Sequence, residues 1–272
     1  MHSTSSRATA RELRHVRALR ERSERSARGL CFVEGIRQVV SAVEGGHAIE
    51  AVYVDETRLQ SSVGLEAIER AVRGGARHVV LTTAEFERIS SRDNPVGLAA
   101  VVHWQPRPLA TFHPPAQGLI LATDNVRDPG NLGTLIRTAD AAGCAAVIVH
   151  GGVDPAHPTA LRASLGTTFL ATVVDAPTLD ACFDWASRHQ IPVLATTARN
   201  AQPLWELGPV RSAVVLVGNE GVGLGEETIA RADLRVTIPM FGSATSLNVS
   251  VAAGIVLFEL ARRRVAGEHL TT

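Results

Sequence analysis

The chain contains no lysine. Its 27 basic residues are all arginines, and 27 acidic residues balance them, so the formal net charge at pH 7 is zero. This balance excludes a globally basic nucleic-acid-binding protein, although a local patch can still bind phosphate. The three cysteines, Cys31, Cys144 and Cys182, lie far apart and form no Cys-x-x-Cys pair. They indicate neither a disulfide framework nor a zinc site, and they predict a reducing cytoplasm.

Long apolar runs are also missing. The longest, Val249 to Ala261, is interrupted by Ser250, Gly254 and Glu259 and is too short to span a bilayer. The first thirty residues lack the apolar core of a secretory signal. Their arginine and serine content resembles an organelle transit peptide, but the glutamates and a helical pattern that continues into the folded part favour a folded cytoplasmic segment.

Arginine is concentrated at residues 7–28, where eight arginines stand against three glutamates. The spacing predicts one amphipathic helix over Ala10–Ala27, with Leu13, Val16 and Leu19 on its apolar side. Such a patch is either a phosphate-binding surface or, more commonly, the solvated face of a helix.

Short strands and helices then alternate through the first hundred residues. The predicted strands are Leu30–Val33, Ile49–Val54, His78–Leu81 and Gly97–Val102, and the predicted helices are Gly35–Glu44, Leu65–Arg73 and Thr83–Ile89. No paired carboxylates and no glycine-rich phosphate loop occur there. The functional candidates are the arginine-rich helix and the Ser90–Asn94 loop. Four prolines between residues 106 and 115 indicate a stiff linker, which predicts domains at 1–105 and 118–272 joined by the linker 106–117.

The second domain shows near-continuous apolar runs separated by helical segments. The runs are Leu119–Ala122, Ala145–Val149, Phe169–Val174, Val193–Thr196, Ala213–Val217 and Arg235–Ile238. Strands buried on both faces have this pattern, so it predicts a parallel sheet covered by helices. Ligands of such sheets bind beyond the carboxyl ends of the strands.

Three loops at predicted strand ends are rich in polar residues and glycine. In the first, 124–133, Pro-Gly-Asn is turn chemistry, Asn131 is the expected helix cap, and Arg137 shares a face with the loop. The second, 216–225, has four glycines that permit close approach of a ligand. A dinucleotide fingerprint does not fit, because the glycines are out of register and Glu220 would repel a pyrophosphate. A nucleotide-dependent oxidoreductase is therefore disfavoured.

The third loop, 238–248, leads into a long apolar helix predicted over Leu247–Ala261. Asn248 lies in its first turn, where backbone N–H groups are unpaired and the helix dipole is positive. Taken alone, this stretch is either a capped core helix or a binding site. Three such loops at strand ends predict one shared pocket.

The motif residues of the three loops are, in order, Asp128–Gly133 with Arg137 and Thr138, then Val217–Gly223, then Ile238–Met240 with Ser246–Ser250. Together they closely resemble the three ordered motifs of the SpoU/TrmH RNA 2′-O-methyltransferases of the SPOUT superfamily. The first domain resembles, more loosely, the L30e-like α/β substrate-binding domain of that family. Its opening helix, Phe32–Gly35 and Asn94–Gly97 carry this second match.

The resemblance implies a C-terminal α/β domain with a parallel sheet and a trefoil knot, preceded by the L30e-like domain. It implies a homodimer that transfers a methyl group from S-adenosylmethionine to a ribose 2′-hydroxyl of RNA, without a metal. The added N-terminal domain favours ribosomal over transfer RNA. The alternative is a non-catalytic RNA-binding protein that retains the fold.

The family's functional positions fall on particular residues of this chain. The active-site positions are Asn131, Arg137, Glu220, Ser246 and Asn248, and the cofactor positions are Thr196, Gly218, Ile238, Met240 and Leu247. The RNA-binding positions are Arg137 and Arg162 from the resemblance, with Arg11 and Arg14 from the arginine-rich helix.

Physical chemistry limits the roles of these residues. A guanidinium has a pKa above about 12, so Arg137 is a poor general base. We expect it to bind the adjacent phosphate and to stabilise the developing alkoxide, while the proton leaves through water or Ser246. Glu220 and Asn248 are expected to set the loops and the ribose orientation. The helix that follows is apolar almost all round, so its second face predicts a partner subunit.

Overall fold

The computed structural model describes residues 6–198 and 200–268, with side chains through residue 264. The chain forms two compact units. The first runs through Gln105 and includes Ala156–Leu170, and the second comprises Pro106–Pro155 and the described residues from Ala171 onward. The functional domain ranges 1–105 and 118–272 stay a prediction. By its contacts, the segment 156–170 packs with the first unit.

The first unit is a mixed five-stranded sheet with helices. Its elements are β1 (Ser6–Arg7), α1 (Ala10–Ala18), α2 (Arg22–Arg28), β2 (Leu30–Glu34), α3 (Ile36–Glu44), β3 (Ile49–Val54), α4 (Ser62–Arg73), β4 (Arg77–Val80), α5 (Thr83–Ile89), β5 (Leu98–His103) and α7 (Pro158–Ala163). The strand order is β1-β4-β3-β5-β2, with β5 antiparallel to both of its neighbours. The helix–strand alternation predicted from the sequence is confirmed, with ends shifted by a few residues.

The single helix predicted over Ala10–Ala27 is wrong, because the structure has two helices there, α1 and α2. The side chain of Arg25 is buried, and its Nη1 donates hydrogen bonds to the carbonyls of Leu19 (3.0 Å) and Arg20 (2.6 Å). These carbonyls lie just beyond the last turn of α1, where backbone acceptors have no partner within a helix. One arginine of the patch therefore serves as an internal cap and is not available to a ligand.

The second unit is built on an eight-stranded sheet in which every strand pair is parallel. Its elements are β6 (Arg107–Pro108), β7 (Leu119–Asp124), α6 (Pro129–Ala141), β8 (Ala146–His150), β9 (Val173–Ala176), α8 (Leu179–Arg188), β10 (Val193–Thr196), β11 (Gln202–Pro203), β12 (Ala213–Val217), α9 (Glu226–Arg231), β13 (Leu234–Thr237) and α10 (Val249–Glu268). The strand order is β11-β13-β10-β12-β7-β8-β9-β6. The predicted parallel sheet is confirmed, and the trefoil knot stays a prediction from the resemblance.

Both faces of this sheet are covered by helices. Alternate residues of β7, Ile120 and Ala122, pack in one core with Trp185 of α8. Helices α6 and α10 pack against each other, α6 also packs against β8 and α10 against β12 and β7, and they bury Leu132 and Leu257. Strands covered on both sides carry apolar residues at every position, which is why the apolar runs located them. Within the described ranges, none of the helices has the length and apolar character needed to cross a membrane.

The apolar run Phe169–Val174 is not one strand, as the sequence predicts. Thr167–Phe169 forms a 3₁₀ turn, and β9 begins only at Val173. The Phe169 ring packs edge-on against Trp104 within the first unit, and its carbonyl lies 2.8 Å from a ring nitrogen of His47. An apolar run does not distinguish a strand from a buried turn, so the pattern was misleading here.

Candidate functional site

The three polar loops begin at one edge of the parallel sheet. Strands β13, β10, β12 and β7 are consecutive neighbours, and all are parallel. The loops that follow β7, β12 and β13 therefore start side by side, as expected for the ligand-binding edge of such a sheet.

The loop after β7 is closed by a helix cap. The Asp128 carboxylate accepts a hydrogen bond of 2.7 Å from the backbone N–H of Asn131, and Pro129 takes the first position of α6. Asp128 therefore caps this helix, and the prediction that Asn131 does so is wrong. The reason is position: an N-cap side chain accepts from the residue three places later, and Asp128 stands at that spacing. The side chain of Asn131 is consequently free for another contact.

Glu220, in the loop after β12, holds the first loop in place. Its Oε1 accepts hydrogen bonds from the backbone N–H of Asp128 (3.0 Å) and from Nδ2 of Asn131 (3.1 Å). Its Oε2 accepts one from the backbone N–H of Arg127 at 3.1 Å. Desolvation opposes ionisation of this carboxylate, but these three donors outweigh it and hold the pKa of Glu220 below its ordinary value. Glu220 is therefore an ionised hydrogen-bond acceptor at neutral pH.

Asn131 connects the first loop to the third loop through hydrogen bonds. Its Oδ1 accepts a hydrogen bond of 2.9 Å from Nδ2 of Asn248, and its backbone carbonyl accepts one of 3.1 Å from the hydroxyl of Ser250. Oδ1 of Asn248 in turn accepts from the backbone N–H of Ser250 at 2.9 Å and thereby caps α10. The chain Glu220–Asn131–Asn248 thus links all three loops, and we call it the loop network.

Three contributors to this arrangement were missed by the sequence analysis. Asp128 is the cap, Ser250 anchors the Asn131 backbone, and Asn219 joins the first two loops through a 3.0 Å hydrogen bond from its Nδ2 to the carbonyl of Asn125. Oδ1 of Asn219 also accepts from the backbone N–H of Gly221 at 2.9 Å. An Asn or Asp that precedes a tight turn is the signal that would have identified both Asn219 and Asp128.

Arg137 and Ser246 stand apart from the loop network. Both side chains are exposed, and neither makes a hydrogen bond or ion pair with any other residue of 6–198 or 200–268. Arg137 lies in α6, which the loop network positions at its N-terminal end. A cation and a hydroxyl with free donors beside an ordered set of loops are suited to binding an anionic, hydroxylated ligand.

The predicted cofactor residues occupy the same sheet edge. Thr196 ends β10, and its hydroxyl donates a 3.1 Å hydrogen bond to the Leu216 carbonyl. A Cβ on Gly218 would overlap the backbone of Gly223 and Leu224, so the tight return of this loop requires glycine. Ile238 and Leu247 are half-buried, and Met240 is 39% exposed.

The remaining predicted RNA-binding residues belong to the first unit. Arg11 and Arg14 project from the exposed side of α1, opposite buried Leu13 and Val16. Arg162 lies on α7, where its Nη2 is 3.4 Å from the hydroxyl of Thr159. In the described part of the chain, no group of three or more histidine, cysteine, aspartate or glutamate side chains is arranged to hold a metal ion.

Comparison with known proteins shows which protein families and which characterised proteins this chain is similar to. Residues 118–258 match the family model described as SpoU rRNA Methylase family, and residues 11–100 match the MRM3-like substrate binding domain. The chain is 32% identical over 255 residues to the 23S rRNA (guanosine(2553)-2′-O)-methyltransferase RlmP of Bacillus subtilis, an alignment that covers 93% of this chain and 97% of the relative.

Two solved structures carry a bound cofactor. The AdoMet-bound rRNA methyltransferase from Sinorhizobium meliloti superposes with a TM-score of 0.85 at 30% identity, over 96% of this chain and 97% of that one. The SpoU methyltransferase AviRb from Streptomyces viridochromogenes in complex with AdoMet gives 0.86 at 28% identity, over 95% and 99% of the two chains.

Proposed function

This chain belongs to the SpoU rRNA methylase family, and we propose that it transfers a methyl group from S-adenosylmethionine to a ribose 2′-hydroxyl of ribosomal RNA. The loop network carries the proposal, because it orders the three loops while leaving Arg137 and Ser246 without protein partners. The named substrate of the Bacillus subtilis relative is 23S rRNA, which favours ribosomal over transfer RNA.

The residues at the sheet edge fit S-adenosylmethionine. Met240 and Phe241 expose 39% and 91% of their surface on the loop after β13, which offers apolar contact to an adenine ring. No backbone–backbone hydrogen bond involves Met240–Leu247 within the described ranges, so polar backbone groups remain for the edge of the ring and the ribose. We propose that Thr196, Gly218, Ile238, Met240 and Leu247 hold this cofactor.

Methyl transfer mainly requires that the 2′-hydroxyl and the methyl group are aligned. When bound, S-adenosylmethionine supplies a methyl group on a sulfonium, which is a good leaving group. Holding the 2′-hydroxyl in line with that methyl group can lower the barrier by roughly 7–11 kcal/mol. We assign Arg137 to the phosphate beside the target ribose and to the developing alkoxide, and the hydroxyl proton leaves through water or Ser246. Glu220, Asn131 and Asn248 position the loops.

RNA binding outside the reacting nucleotide is assigned to the first unit. Arg11, Arg14 and Arg162 present guanidinium groups on its surface, and such groups bind RNA phosphates in a salt-dependent manner. Cys31, Cys144 and Cys182 form no disulfide within the described residues. This is compatible with a cytoplasmic location, where ribosomal RNA is found, and we include that location in the proposal.

The direct test is methyl transfer to RNA. We expect the purified chain with radiolabelled S-adenosylmethionine to label an unmodified 23S rRNA transcript at one ribose, and to leave a transfer RNA mixture unlabelled. The modified position is mapped by the resistance of 2′-O-methylated sites to alkaline cleavage. Calorimetry with S-adenosylmethionine separates the alternative, because a non-catalytic RNA-binding protein would bind the transcript without binding the methyl donor.

We further propose that α10 forms a homodimer interface. Val251 and Phe258 lie seven residues apart on one side of this helix and expose 51% and 52% of their surface, whereas Leu257 and Leu260 are buried. Residues seven apart share a helix face, so the two exposed side chains form an apolar stripe.

Phe258→Glu is therefore expected to shift the protein from a dimer toward a monomer of 28.9 kDa, because it places a charge in an apolar interface. Light scattering at micromolar concentration measures the mass. Leu65→Glu is the matched control, since Leu65 is equally exposed, at 51%, on α4 of the first unit. A wild-type mass of one chain at that concentration would contradict the dimer.

A further inference from the structure

The loop after β13 carries an aromatic ring that the proposed function leaves largely unused. Phe241 exposes 91% of its surface, which is the highest value for a large apolar side chain in the described ranges. Val222, on the loop after β12, follows with 86%. Phenylalanine and valine are among the residue types most often buried. Two such side chains that project from two loops of one candidate site therefore differ from apolar residues scattered singly over a surface.

Both loops start at the same edge of the parallel sheet. Strands β12 and β13 each pair with β10, and neighbouring strands lie about 4.8 Å apart, so the two loops begin roughly 10 Å from each other. Phe241 and Val222 do not cover one another, since both remain exposed. The Phe241 ring therefore stands in solvent at the rim of the candidate site.

The surroundings of Phe241 in the chain are uncharged. Residues 238–258 include no acidic or basic side chain, so no carboxylate of this segment would repel a phosphate. Ser243, Thr245 and Ser246 are exposed on the same loop. Within the described ranges residues 241–246 make no hydrogen bond, so the loop can adjust to a ligand without breaking one. Hydroxyl groups beside an open ring suit the sugar and phosphate of a nucleotide whose base lies on that ring.

The cofactor accounts for only part of the Phe241 ring. A small ligand in a pocket has roughly 70–90% of its surface covered, so the walls around it are themselves backed by protein, as half-buried Ile238 and Leu247 are. A side chain that is 91% exposed has almost no protein behind it. Even with an adenine against one face of the ring, the other face stays open.

The predicted dimer interface does not account for the ring either. The apolar stripe of Val251 and Phe258 lies on α10, and Phe241 belongs to the loop that precedes this helix. The ligand that fits the open face of a phenyl ring beside a free cation and free hydroxyls is an unpaired base of RNA. Its flat surface stacks on aromatic side chains, whichever base it is.

We propose that Phe241 stacks on an unpaired base of the RNA substrate, at or close to the nucleotide that is methylated. Arg137 holds the phosphate, and Phe241 adds a contact to the base. This inference rests on the proposed function, since it takes RNA as the ligand. Stacking requires a base whose face is open, so Phe241 makes the protein select a single-stranded target.

Phe241→Leu tests the proposal, because leucine keeps an apolar side chain and removes the flat ring. With the unmodified 23S rRNA transcript, we expect KM and the Kd measured by fluorescence anisotropy to rise about 10-fold, as for the loss of one base–aromatic stack. We expect kcat to stay within about twofold, because the ring does not touch the reacting atoms. The Tm should be unchanged, and so should the Kd for S-adenosylmethionine measured by calorimetry without RNA.

Phe241→Trp gives a direct signal of stacking. Tryptophan keeps an aromatic face, so KM and Kd should remain close to the wild-type values. A base that lies on the indole should quench the added emission when the transcript binds, and the wild type with its three tryptophans provides the background. Trp205→Leu is the matched control, since Trp205 is another exposed aromatic residue of the same unit, at 47%, and it should leave KM and Kd unchanged.

Pairing of the target gives a second control. Once the methylated position is mapped, a complementary RNA oligonucleotide is annealed over it. The bases there are then stacked within a duplex, so the difference in Kd between the wild type and Phe241→Leu should disappear. A difference that persists on the paired target would contradict stacking on an unpaired base.

Unaltered KM and Kd in Phe241→Leu, or unquenched emission in Phe241→Trp, would overturn the proposal. So would weaker binding of S-adenosylmethionine with a normal Kd for RNA, which would indicate a cofactor wall only. A smaller mass of Phe241→Leu in light scattering would overturn it as well, because a second copy of the chain would then cover the ring. Anisotropy and emission need no turnover, so a chain that binds RNA through Phe241 without methyl transfer would refute the proposed function alone.

Discussion

Arg137→Lys is expected to lower kcat for RNA methylation by about 100-fold or more, a loss typical of removing a donor aimed at developing negative charge. Lysine keeps the positive charge but lacks the planar fork that contacts two oxygens at once. Arg137 is exposed and makes no hydrogen bond or ion pair within the described residues. The substitution should therefore leave the Tm and the affinity for S-adenosylmethionine unchanged.

The control for this variant is Arg211→Lys, an exposed arginine of the same unit, which should retain full activity. Single-turnover rates with bound RNA separate the chemical step from RNA affinity. Near-normal turnover of Arg137→Lys would contradict the role given to the guanidinium fork. A loss seen only in KM would restrict Arg137 to holding the phosphate.

The parallel strands were predictable because a strand that is buried on both faces has apolar residues at nearly every position. Val193–Thr196 and Ala213–Val217 were predicted with the bounds that the structure shows. The two separate helices of the arginine-rich segment were not predictable in this way, although the spacing of its apolar residues is helical. The break between α1 and α2 depends on the Arg25 side chain turning inward to two backbone carbonyls, and a hydrophobic pattern carries no information about such a contact.

The sequence predicted which loops form the site, but it did not predict which hydrogen bonds connect those loops. The order of three polar loops at strand ends identified the edge of the sheet and the residues to examine. The role of Glu220 as an acceptor depends on contacts between residues about 90 positions apart. The choice of Asp128 over Asn131 as the cap is a local contact between residues three apart, and the turn residues could have indicated it.

Glu220→Gln is expected to lower kcat/KM for RNA methylation by about 100-fold, the loss that follows from misplacing catalytic groups by about 1 Å. Glutamine is isosteric, but its amide nitrogen would face a backbone N–H of Arg127 or Asp128, so one donor would oppose another. The first loop would then shift, and Asn131 and Asn248 with it. We expect the Tm to fall by about 2–4 °C, as for a loss of 1 kcal/mol in a protein of this size.

The same role of Glu220 predicts how the stability of the folded chain changes with pH. Because the pKa of Glu220 is lowered in the folded chain, its ionised form stabilises the fold above the unfolded pKa of about 4.3, and this contribution disappears as the pH falls through the folded value. The stability difference between wild type and Glu220→Gln should thus be constant from about pH 6 to 8 and shrink in more acidic solution. Glu206→Gln, an exposed glutamate of the same unit, should show no difference at any pH. Equal activity and equal stability of wild type and Glu220→Gln at neutral pH would mean that the loop network does not hold the site together.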